Sequence, residues 1–311
     1  MNTILRAFFY SEFTAFKFFL FLTVLGLCSV PAKAQVSDLA RVEYTYIPQA
    51  DSENRVSRFR AFVNYPIRLG WEGSFIVVGL EYRKLDLDFE DPVPFDLDAL
   101  GKFQMFRSSV AFTYKMKKDW RLAANAGIEV NSNFEKSSIT NEDLNFTGAL
   151  FFIKDKSGEG VEKPSRFIIG LNYSTNAGRP FPIPLINYYK KFRPNWSYSV
   201  GTPKTNIKHS LTKKQSIQAY ITLDGFYSNI QNNLDVHGVD GSIAKAENIS
   251  MTLVLGGIGY EYYFTKNLVA YAYGGHTFFN EIRLRDGSLN NLFKINEKNT
   301  FYLRSGIKFK I

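Results

Sequence analysis

Three histidines, a run of acidic residues and a set of regularly spaced arginines are the side chains of this 311-residue sequence best suited to chemistry. His209 adjoins Ser210, the pairing in which an imidazole takes the proton of an attacking hydroxyl. In an extended chain, however, neighbours project to opposite faces, so the two would not meet. His276 stands beside Thr277 with no serine two residues away, and His237 stands beside Gly238. Each lacks the geometric partners of a triad and reads as a solvated or hydrogen-bonded histidine, so no catalytic residue is expected. The stretch Asp86–Asp98 holds six carboxylates: Asp86, Asp88, Glu90, Asp91, Asp96 and Asp98. Hard oxygen donors at this density suit calcium. The glycine that a helical calcium loop needs after its first acids is missing, which leaves a solvated acidic loop. With no phosphate-binding glycine loop and no HExxH helix either, neither a metal nor a cofactor is expected.

The arginines keep a two-residue beat against apolar residues. In Ser57–Arg68, Phe59, Ala61, Val63 and Tyr65 alternate with Arg58, Arg60 and Asn64. In Phe75–Leu85, Ile76, Val78, Leu80 and Tyr82 oppose Glu81 and Arg83. Phe106, Val110, Phe112 and Tyr114 oppose Arg107, while Leu122, Ala124, Ala126 and Ile128 oppose Arg121 and Glu129. At the C-terminus Phe301, Leu303, Ser305, Ile307, Phe309 and Ile311 oppose Tyr302, Arg304, Gly306, Lys308 and Lys310. Such a period is that of a β-strand with one face in an apolar medium. The expectation is an all-β, antiparallel, up-and-down transmembrane barrel, its outer face towards lipid and its polar face inward. Nine residues are then candidates to line the lumen: Arg58, Arg60, Glu81, Arg83, Arg107, Arg121, Glu129, Asp224 and Arg304.

Twelve strands are expected, and fourteen if Arg193–Gln215 splits into a hairpin, Trp196–Gly201 with Asn206–Leu211. Twelve is preferred because Pro203 opposes a ladder position. A phase shift around Gly256, Gly257 and Gly259 suggests a bulge or a bend. Short turns (Leu69–Gly73, Lys117–Asp119, Thr265–Asn267) alternate with long connections such as Asp88–Lys102 and Gln231–Ala246, the asymmetry of outer-membrane barrels. Trp71, Trp120 and Trp196 lie in or beside short turns, and the 18 tyrosines and 29 phenylalanines suit interfacial girdles.

The ends and the composition agree. Arg6 and Lys17 precede an uncharged run, Phe18–Val30, shorter than the roughly 20 apolar residues of a spanning helix. Ala32-Lys33-Ala34 forms a small-x-small site, so a signal peptide over residues 1–34, cleaved after Ala34, and an outer-membrane barrel over 35–311 are expected. Leu27 before Cys28 argues against a lipoprotein, and the chain beyond Ala34 has no cysteine for disulfides. Mean hydropathy is −0.17, as expected where lipid-facing and lumen-facing residues alternate. The net charge of +9 is dispersed rather than clustered, and export excludes nucleic acid as a partner.

The sequence resembles a family of outer-membrane barrels of unknown function from diderm bacteria. The likeness covers most of residues 38–311. It rests on Tyr44-Thr45-Tyr46, on Trp196-Ser-Tyr-Ser-Val-Gly-Thr-Pro-Lys, on Asp224-Gly225 and on Arg304-Ser-Gly-Ile-Lys-Phe. The chain departs from it at Thr202, where relatives often carry an aromatic residue, and Ile311 departs from the terminal aromatic common in barrel proteins. The resemblance implies the barrel and lends no catalytic residue. Two readings of the interior stay open: a passive channel, weakly selective for anions, or a closed lattice of ion pairs whose long loops bind partners. A lipid-modifying enzyme is a third. Outer-membrane lipid, lipopolysaccharide and the barrel-assembly machinery, the last through the C-terminal strand, are the expected partners.

Overall fold

Because apolar residues recur every second position, no segment can bury its apolar side as a helix, and the backbone must satisfy its hydrogen bonds between strands. In the computed structural model, which describes residues 38–71, 73–93, 95–117, 119–136, 138–158, 160–237 and 241–310, it does so around a closed ring. The expected signal segment, Cys28, Gly238 and Ile311 lie outside the described residues. The strands are β1 (Ala40–Pro48), β2 (Arg55–Arg68), β3 (Phe75–Asp88), β4 (Lys102–Lys115), β5 (Trp120–Ser132), β6 (Leu144–Lys156), β7 (Ser165–Ser174) and β8 (Phe181–Arg193). They continue with β9 (Trp196–Gly201), β10 (Lys204–Ser210), β11 (Gln215–His237), β12 (Ile243–Tyr263), β13 (Leu268–Arg285), β14 (Asn291–Asn296) and β15 (Phe301–Phe309).

Each barrel strand pairs antiparallel with its sequence neighbours, and β15 closes the ring between β13 and β1. Among the described residues β14 alone stands outside the ring, as a short flap on the loop end of β13. The barrel therefore has fourteen strands, the alternative count, and not twelve. Pro203 does not oppose the extra hairpin because it occupies no ladder position: Thr202-Pro203 is itself the turn between β9 and β10. The phase shift also falls elsewhere than on the three glycines. Val254 pairs with Phe279 and Leu255 with Thr277, so the extra residue is Phe278 on β13.

The outward side chains form a continuous apolar belt. Val42, Leu80, Val110, Ile128, Leu150, Leu171, Ile186, Val200, Ile207, Ile221, Ile258, Leu303 and Ile307 are all exposed. Aromatic residues edge it: Phe106, Phe146, Tyr173, Phe181, Phe278 and Phe301 near the loop end, and Tyr65, Trp71, Tyr114 and Phe264 near the turn end. Burying this much apolar surface is normally obligatory in a water-soluble protein. The core instead lies inside the loop end of the ring, where Ile47, Val56, Leu85, Leu87, Phe103, Phe226, Ile249, Met251, Ile282 and Leu284 pack together.

Candidate functional site

The interior is built by the inward phase of the same strands. Arg58 on β2 donates from both terminal nitrogens to Asp224 on β11, at 2.9 and 2.7 Å. Arg304 on β15 donates to the same carboxylate at 2.5 Å and lies 3.8 Å from Glu43 on β1. Since β2 and β11 are not neighbours in the ring, the Arg58–Asp224 pair spans the interior. A second group occupies the β2–β5 wall. Glu81 accepts from Arg60 (2.7 Å), Arg83 (2.5 Å) and Arg107 (3.2 Å), and Arg107 also pairs with Glu129. Glu129 is fully buried and its other oxygen accepts from Thr175 at 2.7 Å. Arg121 stands apart near the turn end, donating to the Gly73 carbonyl at 2.6 Å.

A third group was only partly legible in the sequence, which placed Lys308 and Tyr302 on the inward face but not their partners. Glu261 on β12 bonds Lys208, Lys308 (2.7 Å) and the Tyr273 hydroxyl (2.7 Å). Glu43 accepts from Tyr271 at 2.6 Å, and the Tyr220 and Tyr302 hydroxyls bond each other. Lys208 was hidden because its segment reads as a turn. Glu261 was hidden by the apparent phase shift earlier on its strand. The signal available was the neighbouring pattern Lys204, Asn206, Lys208, a polar residue at every second place.

Above these layers the mouth is bridged. Strand β11 leaves the wall after Asp224, crosses the barrel, and pairs in parallel with β5 at Asn229 and Ser132, six strands away in the ring. Ser132 donates to the Asn229 carbonyl, Asn131 donates to the Tyr227 carbonyl, and Phe103 meets Phe226 edge-on at 5.8 Å. The buried Asp143 carboxylate, in the β5–β6 connection, accepts from Asn229 and Gln231, each at 2.7 Å. From the opposite side the β7–β8 turn packs against Gly225 and Met251.

The other candidates do not assemble. His209 stacks on Trp196 at 4.2 Å, and His276 bonds its own neighbour's carbonyl and meets Phe301 edge-on. Within the acidic loop Asp88 and Glu90 pair with Arg55, Asp91 accepts from Ser52 and Asn54, and Asp86 pairs with Lys84. Among the described residues no group of three or more His, Cys, Asp or Glu side chains is placed to hold a metal.

The family described as Domain of unknown function (DUF6268) matches residues 100–310, which include the β11 crossing and the closing strand β15. The chain belongs to this family. No curated protein matches it. Among solved structures it is similar to the KdgM porin (9% identity, 87% of this chain and 99% of that one, TM-score 0.35). It is also similar to LpxR from Salmonella typhimurium (7% identity, 88% and 100%, TM-score 0.37) and to the Pseudomonas putida toluene transporter TodX (9% identity, 91% and 92%, TM-score 0.35).

Proposed function

We propose that this family member is an outer-membrane barrel with a closed lumen that works by binding at its loop end, and is neither a passive channel nor an enzyme. The apolar belt with aromatic edges supports the membrane placement, and export by a signal cleaved after Ala34 belongs to the same reading. The observation that carries the closed state is the crossing of β11 to β5, with the Arg58–Asp224–Arg304 link beneath it. An inward excess of arginine in an open pore would favour anions. Here the candidate lumen residues other than Arg121 are engaged with one another, which leaves few of their charges free to favour anions and supports the closed reading.

The loop end offers a surface for binding. A cavity of about 320 Å³ is lined by Arg179, Arg283 and Arg285 with Thr252, Phe279 and Asn291. Arg283 pairs with Glu281, while Arg285 is held by Ser250 (2.9 Å) and the Leu289 carbonyl (2.6 Å). Three guanidinium groups around one cavity suit phosphate, and lipopolysaccharide is the phosphate-bearing partner at that face. The C-terminal strand β15 serves as the signal to the assembly machinery in this reading. Planar-bilayer recording on the refolded protein tests it. The expected result is no steady conductance at neutral pH; a sustained anion-selective current from the unmodified protein would overturn the closed barrel.

A further inference from the structure

The barrel wall has a built notch. Strands β9 and β10 reach only to Gly201 and Lys204, whereas β8 continues to Phe181 and β11 to His237. Pairing between β8 and β9 ends at Asn187–Gly201, and pairing between β10 and β11 ends at Lys204–Thr222. Because β11 then turns inward, no described strand pairs with β8 above Asn187 on this side, and the gap runs up only to the β7–β8 turn, which packs on Gly225.

The N–H groups along both edges of the notch are accounted for. Ile186 presents its carbonyl to Thr202 (3.0 Å), so even-numbered residues of β8 face β9, and Lys191 donating to Pro164 (2.8 Å) shows that odd-numbered ones face β7. The two even positions beyond the last pair are Pro182 and Pro184, which have no N–H to leave unpaired. On the other edge Leu223 donates to Pro203 (2.9 Å), and the next N–H of that parity, Gly225, is taken by Asp224 at 2.8 Å. The floor is Gly201-Thr202-Pro203. Gly201 has φ +126°, and a Cβ there would lie 1.9 Å from the Ile186 carbonyl oxygen, so no other residue fits.

Behind the notch lies an interior cavity of about 340 Å³. Phe151, Ile153, Ile168 and Leu185 form one side, all in the inward phase, where a water-filled lumen would carry polar groups. Asn187, Ser199, Lys204 and Asn206 form the other. The Lys204 ammonium donates to Gln218 (3.0 Å) and lies over the Tyr220 ring at 4.7 Å. Among the described residues no carboxylate pairs with it, whereas Lys208 and Lys308 both have Glu261.

We infer that this cavity takes a single-chain anionic amphiphile, its chain against Phe151, Ile168 and Leu185 and its charged head towards Lys204, admitted sideways from the membrane through the notch. A pocket of this volume, apolar with few convergent polar groups, is of the kind that binds small molecules. The inference rests on the membrane placement proposed above and not on a closed mouth. A protein that conducts yet still binds here would sink the closed barrel and leave the cavity.

The test uses full-length protein in zwitterionic nanodiscs with photoactivatable laurate, and a dodecanol probe as the uncharged control. Saturable cross-links to Phe151, Ile168 or Leu185 are expected. Leu185→Trp, which fills the cavity, should abolish them. Lys204→Met should weaken laurate labelling about tenfold, the scale of one charge-assisted hydrogen bond, and leave dodecanol unchanged. Thr202→Trp, on the floor of the notch, should slow labelling without lowering its plateau. Heat-modifiable gel mobility establishes that each variant is folded; Ser199→Trp replaces Leu185→Trp if that variant is not. Cross-links confined to outward residues such as Ile186 and Val200, or equal loss of both probes in Lys204→Met, would overturn the site. An unchanged rate in Thr202→Trp would overturn the lateral route.

Discussion

Replacing Asp224 by Asn removes the one carboxylate that ties β11 to β2 and β15 while keeping the shape of the side chain. Asp224 accepts three charged hydrogen bonds, two from Arg58 and one from Arg304, whose side chains are only 5% and 10% exposed. After the change two buried guanidinium groups share one nearby acid, Glu43, which lies 3.8 Å from Arg304. Breaking a buried pair by deleting one member costs about 3–5 kcal/mol, because the remaining charge stays desolvated. Had the link been exposed, the loss would be about 0.2–1 kcal/mol. The assay is urea unfolding of the detergent-embedded protein, followed by tryptophan fluorescence and compared at low and high salt. D224N should lose stability in the first range with little dependence on salt, since buried charges are poorly screened. Adding R58Q should restore part of the loss, as removing both members of a pair leaves no orphan. A D224N cost below about 1 kcal/mol, or an R58Q effect that simply adds to it, would show that the pair does not span a desolvated interior.

Gly225→Val places a branched side chain where even a Cβ would lie 2.7 Å from the Asn176 and Met251 carbonyl oxygens. The β11–β12 pair should be forced off the β7–β8 turn, and current across planar bilayers should rise above that of the unmodified protein; silence would mean that this contact does not hold the mouth shut. Asp143 lies in a loop, and although its burial favours the neutral acid, hydrogen bonds from Thr140, Asn229, Ser132 and Gln231 hold its carboxyl below the usual carboxylate range. A depressed folded value means that its stabilisation is complete above the unfolded pKa, about 3.9, and is lost as pH falls through the folded value. Conductance should therefore stay absent at pH 5 and appear only well below pH 4, whereas Asp143→Ala should conduct at neutral pH; a protein opening between pH 5 and 6 would refute the latch. Arg283→Gln with Arg285→Gln should weaken binding of phosphate-bearing lipopolysaccharide by tenfold or more, and binding unchanged against dephosphorylated controls would count against the loop-end cavity.

The barrel was legible because its signal is local. Whether Phe59 or Arg58 faces outward is decided by the next residue along, and a one-residue slip would turn every apolar side chain inward. The strand number was not settled in the same way. Pro203 opposes a strand when taken alone, and only the two-residue turn around it, with Gly201 at positive φ, makes the proline compatible with a hairpin. The pairing of the interior was least legible. Arg58 and Asp224 are 166 residues apart, and alternation places both inside without bringing them together. Their meeting depends on β11 leaving the wall, a path set by the packing of Phe226, Ile230 and Met251 against residues from β1 to β4. No periodicity records that path, because β11 alternates between inward and outward side chains before the departure and is buried on both sides after it.

That departure also explains how a ring can carry a gap. In hydrocarbon every backbone N–H and C=O must find a partner inside the protein, which is why membrane strands close into complete rings. A shortened hairpin such as β9–β10 violates this rule unless each freed donor is removed or satisfied. Two donors are removed by Pro182 and Pro184, and the next on the far edge, Gly225, is satisfied by Asp224. The same carboxylate thus finishes one edge of the gap and anchors the strand whose departure created it. The two roles are separable by substitution. Asparagine at 224 keeps an oxygen for the Gly225 N–H but loses the charge that binds Arg58, while alanine loses both. If the edge matters in lipid, D224A should be less stable than D224N in bilayers and nearly equal to it in water-permeable micelles. Equal losses in the two media would mean that the notch does not face hydrocarbon.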